Sequence, residues 1–155
     1  MKIRMMQESD IPTIVNITRV AWGEMTLHKL MEDRHGLIGD KIWSERKAEE
    51  VKSFCEKNPS QMIVAVVDNN VVGYAAFRIN KEDKIGNVGN NAVDPAYQGK
   101  GVGTAMNKWI LDFFRKEGLS IARVETMVHD IAAQKVYEKH GFKELARTIH
   151  YSMSL

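Results

Sequence analysis

The feature that most constrains the fold of this chain is a glycine-rich bend between an apolar strand and an amphipathic helix. The segment reads NAVDPAYQGKGVGT and covers residues 91–104. Pro95 ends the strand, and the glycines at 99, 101 and 103 permit left-handed backbone and a close approach of a ligand. N–H groups in the first turn of the following helix lack helical partners, and the helix dipole adds partial positive charge there. The bend therefore predicts a pyrophosphate site at a helix N-terminus.

Two common nucleotide-binding motifs do not fit this spacing. A P-loop requires Ser or Thr directly after its Gly-Lys pair, but Gly101 follows Lys100 here. A dinucleotide-binding fingerprint requires a third glycine three residues after the second, and that position is Thr104. Taken alone, the glycine run is also compatible with an ordinary turn.

Two separate motifs together carry a family resemblance. Residues 98–103, QGKGVG, follow the pattern Gln/Arg-x-x-Gly-x-Gly/Ala. Residues 130–142, DIAAQKVYEKHGF, follow Asn-x-x-Ala-x-x-Leu-Tyr-x-Lys-x-Gly-Phe, with Asp130 in place of Asn and Val136 in place of Leu. In this order and at this separation, the two motifs resemble those of the GNAT superfamily of N-acetyltransferases. The resemblance is strongest over residues 60–155.

The hydrophobic pattern and this resemblance together predict an α/β (α+β) fold. Strands are expected at residues 2–6, 62–67, 71–79, the segment before the bend, 121–128, 142–146 and 148–153. Helices are expected after Ser9 and at residues 42–57, 102–117 and 130–140. The resemblance implies a GNAT fold with a mixed, mostly antiparallel sheet of about six or seven strands and about four helices. It also implies a splayed strand pair that holds the acyl-CoA.

The resemblance implies acetyl-CoA as the acyl donor and indicates which residues would hold it. The expected binding residues are Ala92, Val93, Gln98, Gly99, Lys100, Gly101, Val102, Gly103, Thr104 and Asp130. Residues 98–104 would hold the pyrophosphate, and the backbone at Ala92 and Val93 would pair with the pantetheine arm. Asp130 is expected to cap its helix, and its acidic side chain leaves the family's pantetheine contact at that position open.

Acyl transfer from a thioester to an amine also needs an acid and a base. The place of Tyr137 in an apolar helical stripe would by itself favour simple packing. The motif reverses this interpretation, because the resemblance implies that Tyr137 donates a proton to the departing thiolate. Many relatives carry, on the strand before the bend, a glutamate that acts as the general base. Residues 85–91 of this chain, IGNVGNN, contain no carboxylate. Glu125 is the leading candidate base, followed by Glu24 and His129. A surface glutamate is the alternative interpretation of Glu125.

Composition favours one domain, residues 1–155, without a metal centre. Lys and Arg number 22 and Asp and Glu 20, so a net charge of +2 provides no basic field for nucleic acid. The lone cysteine, Cys55, excludes an intramolecular disulfide, and His28 and His35, at no metal-ligand spacing with it, are expected to be plain loop residues. No segment resembles a signal peptide or a membrane span, so a cytoplasmic location without membrane contact is expected.

These observations predict an acetyl-CoA-dependent N-acetyltransferase. The expected acceptor is a primary amine of a small molecule or peptide, acetylated by direct transfer in a ternary complex. The alternative is a non-catalytic acyl-CoA-binding sensor, which the missing carboxylate before the bend would suit. The sequence leaves a homodimer open.

Overall fold

The structure, a computed structural model, describes residues 1–23 and 26–155. Its sheet has five strands whose spatial order follows the chain. They are β1 (Lys2–Met5), β2 (Met62–Val67), β3 (Asn70–Asn80), β4 (Ile85–Val93) and β5 (Ile121–Arg123). Neighbouring strands from β1 to β4 pair antiparallel, and β4 pairs with β5 in parallel. The parallel pair requires a crossover, which a helix between these two strands supplies.

Five α-helices are seen in the described residues. They are α1 (Ile11–Ala21), α2 (Leu27–His35), α3 (Trp43–Lys57), α4 (Val102–Lys116) and α5 (Ile131–Lys139). Helices α1 and α3 pack on one face of the sheet, and α4 packs on the other. Within the described ranges, none of the helices combines the length and apolar character that crossing a bilayer requires.

The α4 face of the sheet is filled by the helical stripe that the sequence pattern predicts. Met106, Ile110 and Phe114 are buried, one turn apart, against the β-sheet. Gly86 of β4 makes this close packing possible, because a Cβ atom built there would lie 2.4 Å from the Phe114 ring. The glycine is therefore required by the contact between α4 and β4.

The opposite face has a second core between α1, α3 and the central strands. Ile14 and Ile17 of α1 and Val51 and Cys55 of α3 are buried against Tyr74 of β3. Burial raises the pKa of the Cys55 thiol to about 11, so this cysteine stays protonated and inert. Two helical layers thus enclose the sheet, one on each face.

The predicted fold class is confirmed, but several elements differ from the sequence interpretation. The sheet has five strands rather than six or seven, and five α-helices replace the expected four because α2 forms in a segment without a clear pattern. The strand expected at 121–128 ends at Arg123. The predicted strands at 142–146 and 148–153 are wrong, since these residues form no regular element.

The strands expected at residues 142–146 and 148–153 do not form because a strand needs a neighbour to stabilise it. Ile149, Tyr151 and Met153 occupy alternate positions, which is the period of a strand, and Leu145 lies in phase with them. Alternation specifies a strand only where a neighbour pairs with its backbone, and here these side chains are at least 76% exposed. The pattern is present in this chain without the pairing.

Candidate active site

The glycine-rich bend is fastened by its own side chains. The Asp94 carboxylate accepts a hydrogen bond from Ala96 N at 2.8 Å and caps a short 3₁₀ turn. Gln98 Nε2 donates to the Val93 carbonyl at 3.1 Å. Lys100 Nζ donates to the Ala96 carbonyl at 2.9 Å. These bonds fix the path of the backbone from β4 to α4.

The N-terminus of α4 is open. Gly99 and Gly101 have φ of 71° and 81°, the left-handed region, and a Cβ built at either position or at Gly103 would meet no other part of the described structure within 4 Å. Gly101 is the N-cap, no side chain of the described residues caps the helix, and the first helical bond runs from Ala105 N to Gly101 O at 3.0 Å. The N–H groups of residues 102–104 therefore precede the helical ladder and are available to an anion.

Strand β4 separates from β5 beside this helix. Their pairing ends at Asn87 and Arg123, while β4 continues to Val93. Among the described residues, no strand pairs with residues 88–93 on that side. A small cavity lies in the fork, lined by Asn87, Val88, Arg123, Val124 and Glu125. The predicted splayed strand pair is present.

A β-bulge lies in the separated part of β4. Ala75 pairs with Asn91 and Phe77 with Val88, so Gly89 and Asn90 both stand opposite Ala76. The bulge therefore consists of Gly89 and Asn90. The side chains of Asn90 and the following Asn91 contact helices on opposite faces of the sheet.

Tyr137 reaches β4 from α5. The Asp130 carboxylate caps this helix by accepting from Ala133 N at 3.0 Å, as predicted. Tyr137 is buried, and its hydroxyl accepts a hydrogen bond from Asn91 Nδ2 at 3.3 Å. Burial raises the pKa of the Tyr137 phenol, although the Asn91 contact acts in the opposite direction. The phenol is thus kept protonated, and its oxygen lies at the edge of the fork.

The structure brings the predicted site residues together only in part. Ala92 and Val93 pair with Tyr74 and Gly73 on one side and lie at the open edge on the other. Glu125 is exposed and lies in the fork. His129 is exposed in the loop before α5. Glu24 lies outside the described residues.

Sequence reasoning missed a polar cluster on the α1–α3 face, which we call the Glu50 cluster: His28, Lys47, Glu50 and Asn90. Lys47 Nζ donates to Glu50 Oε1 and to Asn90 Oδ1, both at 2.9 Å. Asn90 Nδ2 donates to Glu50 Oε1 at 2.8 Å. His28 Nε2 lies 3.1 Å from Glu50 Oε2. His28, expected in a loop, is instead in α2, as is His35.

Electrostatics holds Glu50 in its charged form. The contact with His28 lowers its pKa most, Lys47 and Asn90 lower it further, and burial opposes them, leaving a pKa of about 2. Lys47 is buried, and its Nζ lies 4.5 Å from the centroid of the Trp22 ring. The cluster is therefore a buried ammonium and a fixed carboxylate directly beside the β4 bulge.

A chain of hydrogen bonds anchors the Trp22 ring beneath this ammonium. Trp22 Nε1 donates to the Tyr74 hydroxyl at 2.9 Å, and that hydroxyl lies 2.8 Å from Thr18 Oγ1. Thr18 in turn donates to the Ile14 carbonyl at 2.8 Å. Burial raises the pKa of the Tyr74 phenol, so it remains a neutral link in this chain. One part of the sequence could have indicated the cluster: Lys47 falls on the apolar side of a predicted helix.

Known proteins resemble this chain in both sequence and fold. The N-acetylaspartate synthetase of Rattus norvegicus is 32% identical over 103 residues, which cover 66% of this chain and 34% of that protein. The chain therefore spans about a third of the length of this relative.

Two solved structures share the fold. The PaiA N-acetyltransferase of Thermoplasma acidophilum in complex with coenzyme A has a TM-score of 0.70 at 19% identity, covering 92% of this chain and 89% of that one. The ribosomal-protein-alanine N-acetyltransferase of Brucella melitensis has a TM-score of 0.66 at 17% identity, covering 94% and 86%.

A sequence profile of the acetyltransferase (GNAT) family matches residues 24–142. This range includes the glycine-rich bend, the fork between β4 and β5, and Tyr137. The chain belongs to the acetyltransferase (GNAT) family.

Proposed function

We propose that this protein transfers an acetyl group from acetyl-CoA to a primary amine. The observation that carries the proposal is the arrangement of an uncapped, glycine-lined helix N-terminus beside an open strand edge, with a buried phenol at that edge. Family membership and a fold shared with a protein in complex with coenzyme A support it.

The cofactor-binding residues follow from this arrangement. The pyrophosphate binds the N–H groups of residues 102–104 and the open glycines of the bend. Gln98 and Lys100 act through the hydrogen bonds that shape the bend. Ala92 and Val93 offer their unpaired strand edge to the amides of the pantetheine arm, as an added strand would. Asp130 fixes the start of α5 and thus the position of Tyr137.

Direct transfer in a ternary complex fits the fork. The amine nitrogen forms a bond to the thioester carbon, and a backbone N–H of β4 stabilises the oxyanion. The C–S bond then breaks, and Tyr137 gives its proton to the departing sulfur. Glu125, which lines the fork, remains the base proposed from the sequence. Holding both reactants in one site supplies much of the rate, because it replaces a bimolecular encounter.

The acceptor is proposed to be a primary amine of a small molecule or peptide. The names of the rat relative and of the two solved structures all denote N-acetylation. The Glu50 cluster provides a charged, partly buried surface next to the bulge, as expected for a site that holds a polar amine.

A coupled assay tests this proposal. Purified protein is mixed with acetyl-CoA and L-aspartate, L-alanine, a diamine or a peptide that begins with alanine, and the free thiol is followed. We expect thiol release with at least one amine, and coenzyme A should raise the melting temperature. Tyr137→Phe should keep coenzyme A binding and lower kcat by about 10²–10⁴-fold. Tyr151→Phe, an exposed tyrosine, is the matched control.

Two results would contradict the proposal. Coenzyme A binding without thiol release from any amine would favour the non-catalytic sensor. Full activity in Tyr137→Phe would remove the phenol from the mechanism while leaving the transferase in place.

A further inference from the structure

The contact between His28 and Glu50 determines the protonation of the imidazole ring. An ionised carboxylate only accepts hydrogen bonds, so at 3.1 Å from Glu50 Oε2 the His28 Nε2 must carry a hydrogen. In the neutral ring, Nδ1 then carries the lone pair. Nδ1 makes no hydrogen bond within the described residues, and the His28 side chain is 24% exposed. In this tautomer Nδ1 is therefore the ring atom that can accept a proton.

Glu50 is a poor base in this position. Its pKa of about 2 means that it binds a proton weakly at neutral pH. Its two oxygens are engaged by His28, Lys47 and Asn90. A carboxylate in this state stabilises a neighbouring imidazolium and fixes the imidazole tautomer, the role of the acid in a catalytic triad.

The Glu50 cluster and Tyr137 reach the separated part of β4 through two adjacent residues. Asn90 and Asn91 are adjacent in β4, but Asn90 contacts Glu50 on the α3 face and Asn91 contacts Tyr137 on the α5 face. The proton donor for sulfur and the His28–Glu50 pair thus meet the separated part of β4 from opposite faces. Acyl transfer uses two such groups, because the amine must lose a proton and the departing sulfur must gain one.

We infer that His28 is the general base of the acetyl transfer and that Glu50, held by Lys47 and Asn90, is its positioning residue. This inference rests on the proposed function and assigns the base to α2, supported by Glu50 of α3, rather than to Glu125 in the segment after β5.

The proton balance is complete. The ammonium form of the acceptor gives one proton to His28 Nδ1, directly or through a water molecule, and the freed lone pair forms the C–N bond. The electrons of the C–S bond move to sulfur, which takes the proton of Tyr137, and the second proton that the nitrogen loses on becoming an amide restores the Tyr137 phenol through water. The imidazolium, stabilised by Glu50, then returns its proton to solvent. The products are the N-acetylated amine and coenzyme A thiol.

Other charged groups surround His28 on the elements packed against it. Helix α3 contributes Lys47, Glu50 and Arg46, whose guanidinium donates to the His28 carbonyl at 2.9 Å. Helix α2 contributes Glu32, 3.8 Å from that guanidinium. Strand β4 contributes only the neutral Asn90 at this point. The charges of these two carboxylates and two cations cancel. Of the four groups, Glu50 is in direct contact with the His28 ring.

The first test is kinetic. With the best amine of the panel, His28→Gln should lower kcat by about 10²–10⁴-fold, with little change in coenzyme A affinity. The acidic limb of the pH–rate profile should disappear in this variant. Glu50→Gln should lower kcat less, because the imidazole stays in place but its imidazolium form loses its counter-charge. His28→Ala should regain activity with added imidazole, a rescue that a purely structural role would not allow.

A matched control and a discriminating variant accompany these substitutions. His35→Gln changes a histidine of the same helix whose ring hydrogen-bonds Ser152 and Ser154, and it should retain wild-type activity. Glu125→Gln tests the base proposed from the sequence: a loss of kcat in this variant, with wild-type kinetics in His28→Gln, would assign the base to Glu125 instead.

The second test needs no turnover. Long-range ¹H–¹⁵N spectra of the full chain should show His28 as the Nε2–H tautomer, and Glu50→Gln should produce a mixture of tautomers. Wild-type-like kinetics in folded His28→Gln, or an Nδ1–H tautomer, would overturn the inference while the transferase stands. Absence of thiol release by the wild-type protein would instead reject the proposed function.

Discussion

The two faces of the sheet at the fork are built in different ways. On the α4 face, the site consists mainly of backbone from one continuous segment: β4, the bend and the first turn of α4. On the α1–α3 face, it consists of side chains joined over long distances, with Lys47 and Glu50 meeting Asn90 across 43 and 40 positions. The first face suits a ligand common to a whole family, and the second can vary with the acceptor.

The largest predicted effect concerns packing behind the α4 face. Gly86→Val would place side-chain atoms inside the Phe114 ring, whose carbons lie 2.4 Å from the position of a Cβ atom. Overpacking of this kind costs about 1–3 kcal/mol in the free energy of unfolding, measured by urea denaturation. Gly89→Ala is the control, because its nearest neighbour, the Ala76 Cβ, is 3.3 Å away. Equal losses in both variants would contradict this packing argument.

On the opposite face, the next largest effect is expected from Lys47. Lys47→Met leaves the Glu50 carboxylate without its ammonium, but Glu50 is 45% exposed, so solvent limits the cost. We expect a loss of about 1–2 kcal/mol in the free energy of unfolding. Coenzyme A affinity, measured by calorimetry, should not change.

The matched control for Lys47 lies on the same helix. Lys52 pairs with Glu56, and both side chains are more than half exposed. Lys52→Met should change stability by no more than about 0.5 kcal/mol. If Lys47→Met weakened coenzyme A binding, the two faces would be coupled and the comparison would fail.

The α4 face could be predicted because its signals are local. Pro95, the glycines of the bend and the helical stripe from Met106 to Phe114 each determine their conformation within a few residues. The Asn91–Tyr137 contact spans 46 positions, and the sequence located Tyr137 only through its motif. The choice of Asn91 as its partner depended on the register of β4.

The Glu50 cluster could not be predicted because its contacts join residues that are far apart in the chain. Neither Lys47 nor Glu50 belongs to a motif, and i, i+3 pairs of Lys and Glu are common on helix surfaces. Their importance arises from the β4 bulge, which turns Asn90 toward α3. A one-residue change in the register of β4 would turn the Asn90 side chain to the other face of the sheet. The sequence of β4 alone does not determine how that strand pairs with its neighbour, so it does not determine this register.

Substitutions at the two ends of α4 should have smaller effects on stability, and only one of them should affect coenzyme A binding. Gly101 and Gly118 both have left-handed φ, 81° and 74°, with open space at the Cβ position. Gly101→Ala and Gly118→Ala should each cost about 1 kcal/mol in the free energy of unfolding. Only Gly101→Ala should weaken coenzyme A binding, by about tenfold in calorimetry, because only that end of the helix points N–H groups at the ligand. Equal affinities would show that the bend does not bind the pyrophosphate.

The smallest expected effect is the loss of stability at low pH that results from protonation of Glu50 on the α1–α3 face. Glu50 has a pKa of about 2 in the folded chain against an ordinary value of 4.5, so its protonation favours unfolding. Its contribution is complete above about pH 4.5 and is lost as the pH falls toward 2. The difference in unfolding free energy between the wild-type protein and Glu50→Gln should therefore shrink over this range, measured by urea denaturation at each pH.

Asp10 provides an independent reference for this loss of unfolding free energy at low pH. Its pKa is lowered mainly by hydrogen bonds from Arg4, the shorter of them 2.6 Å long, at the far edge of the sheet. Asp10→Asn should remove a separate part of the acid loss, and the effects of the two substitutions should add, because the two carboxylates share no partner. A pH-independent difference for Glu50→Gln would mean that its carboxylate is not held by His28 and Lys47. The α1–α3 face would then lack the fixed charge that distinguishes it from the backbone-built α4 face.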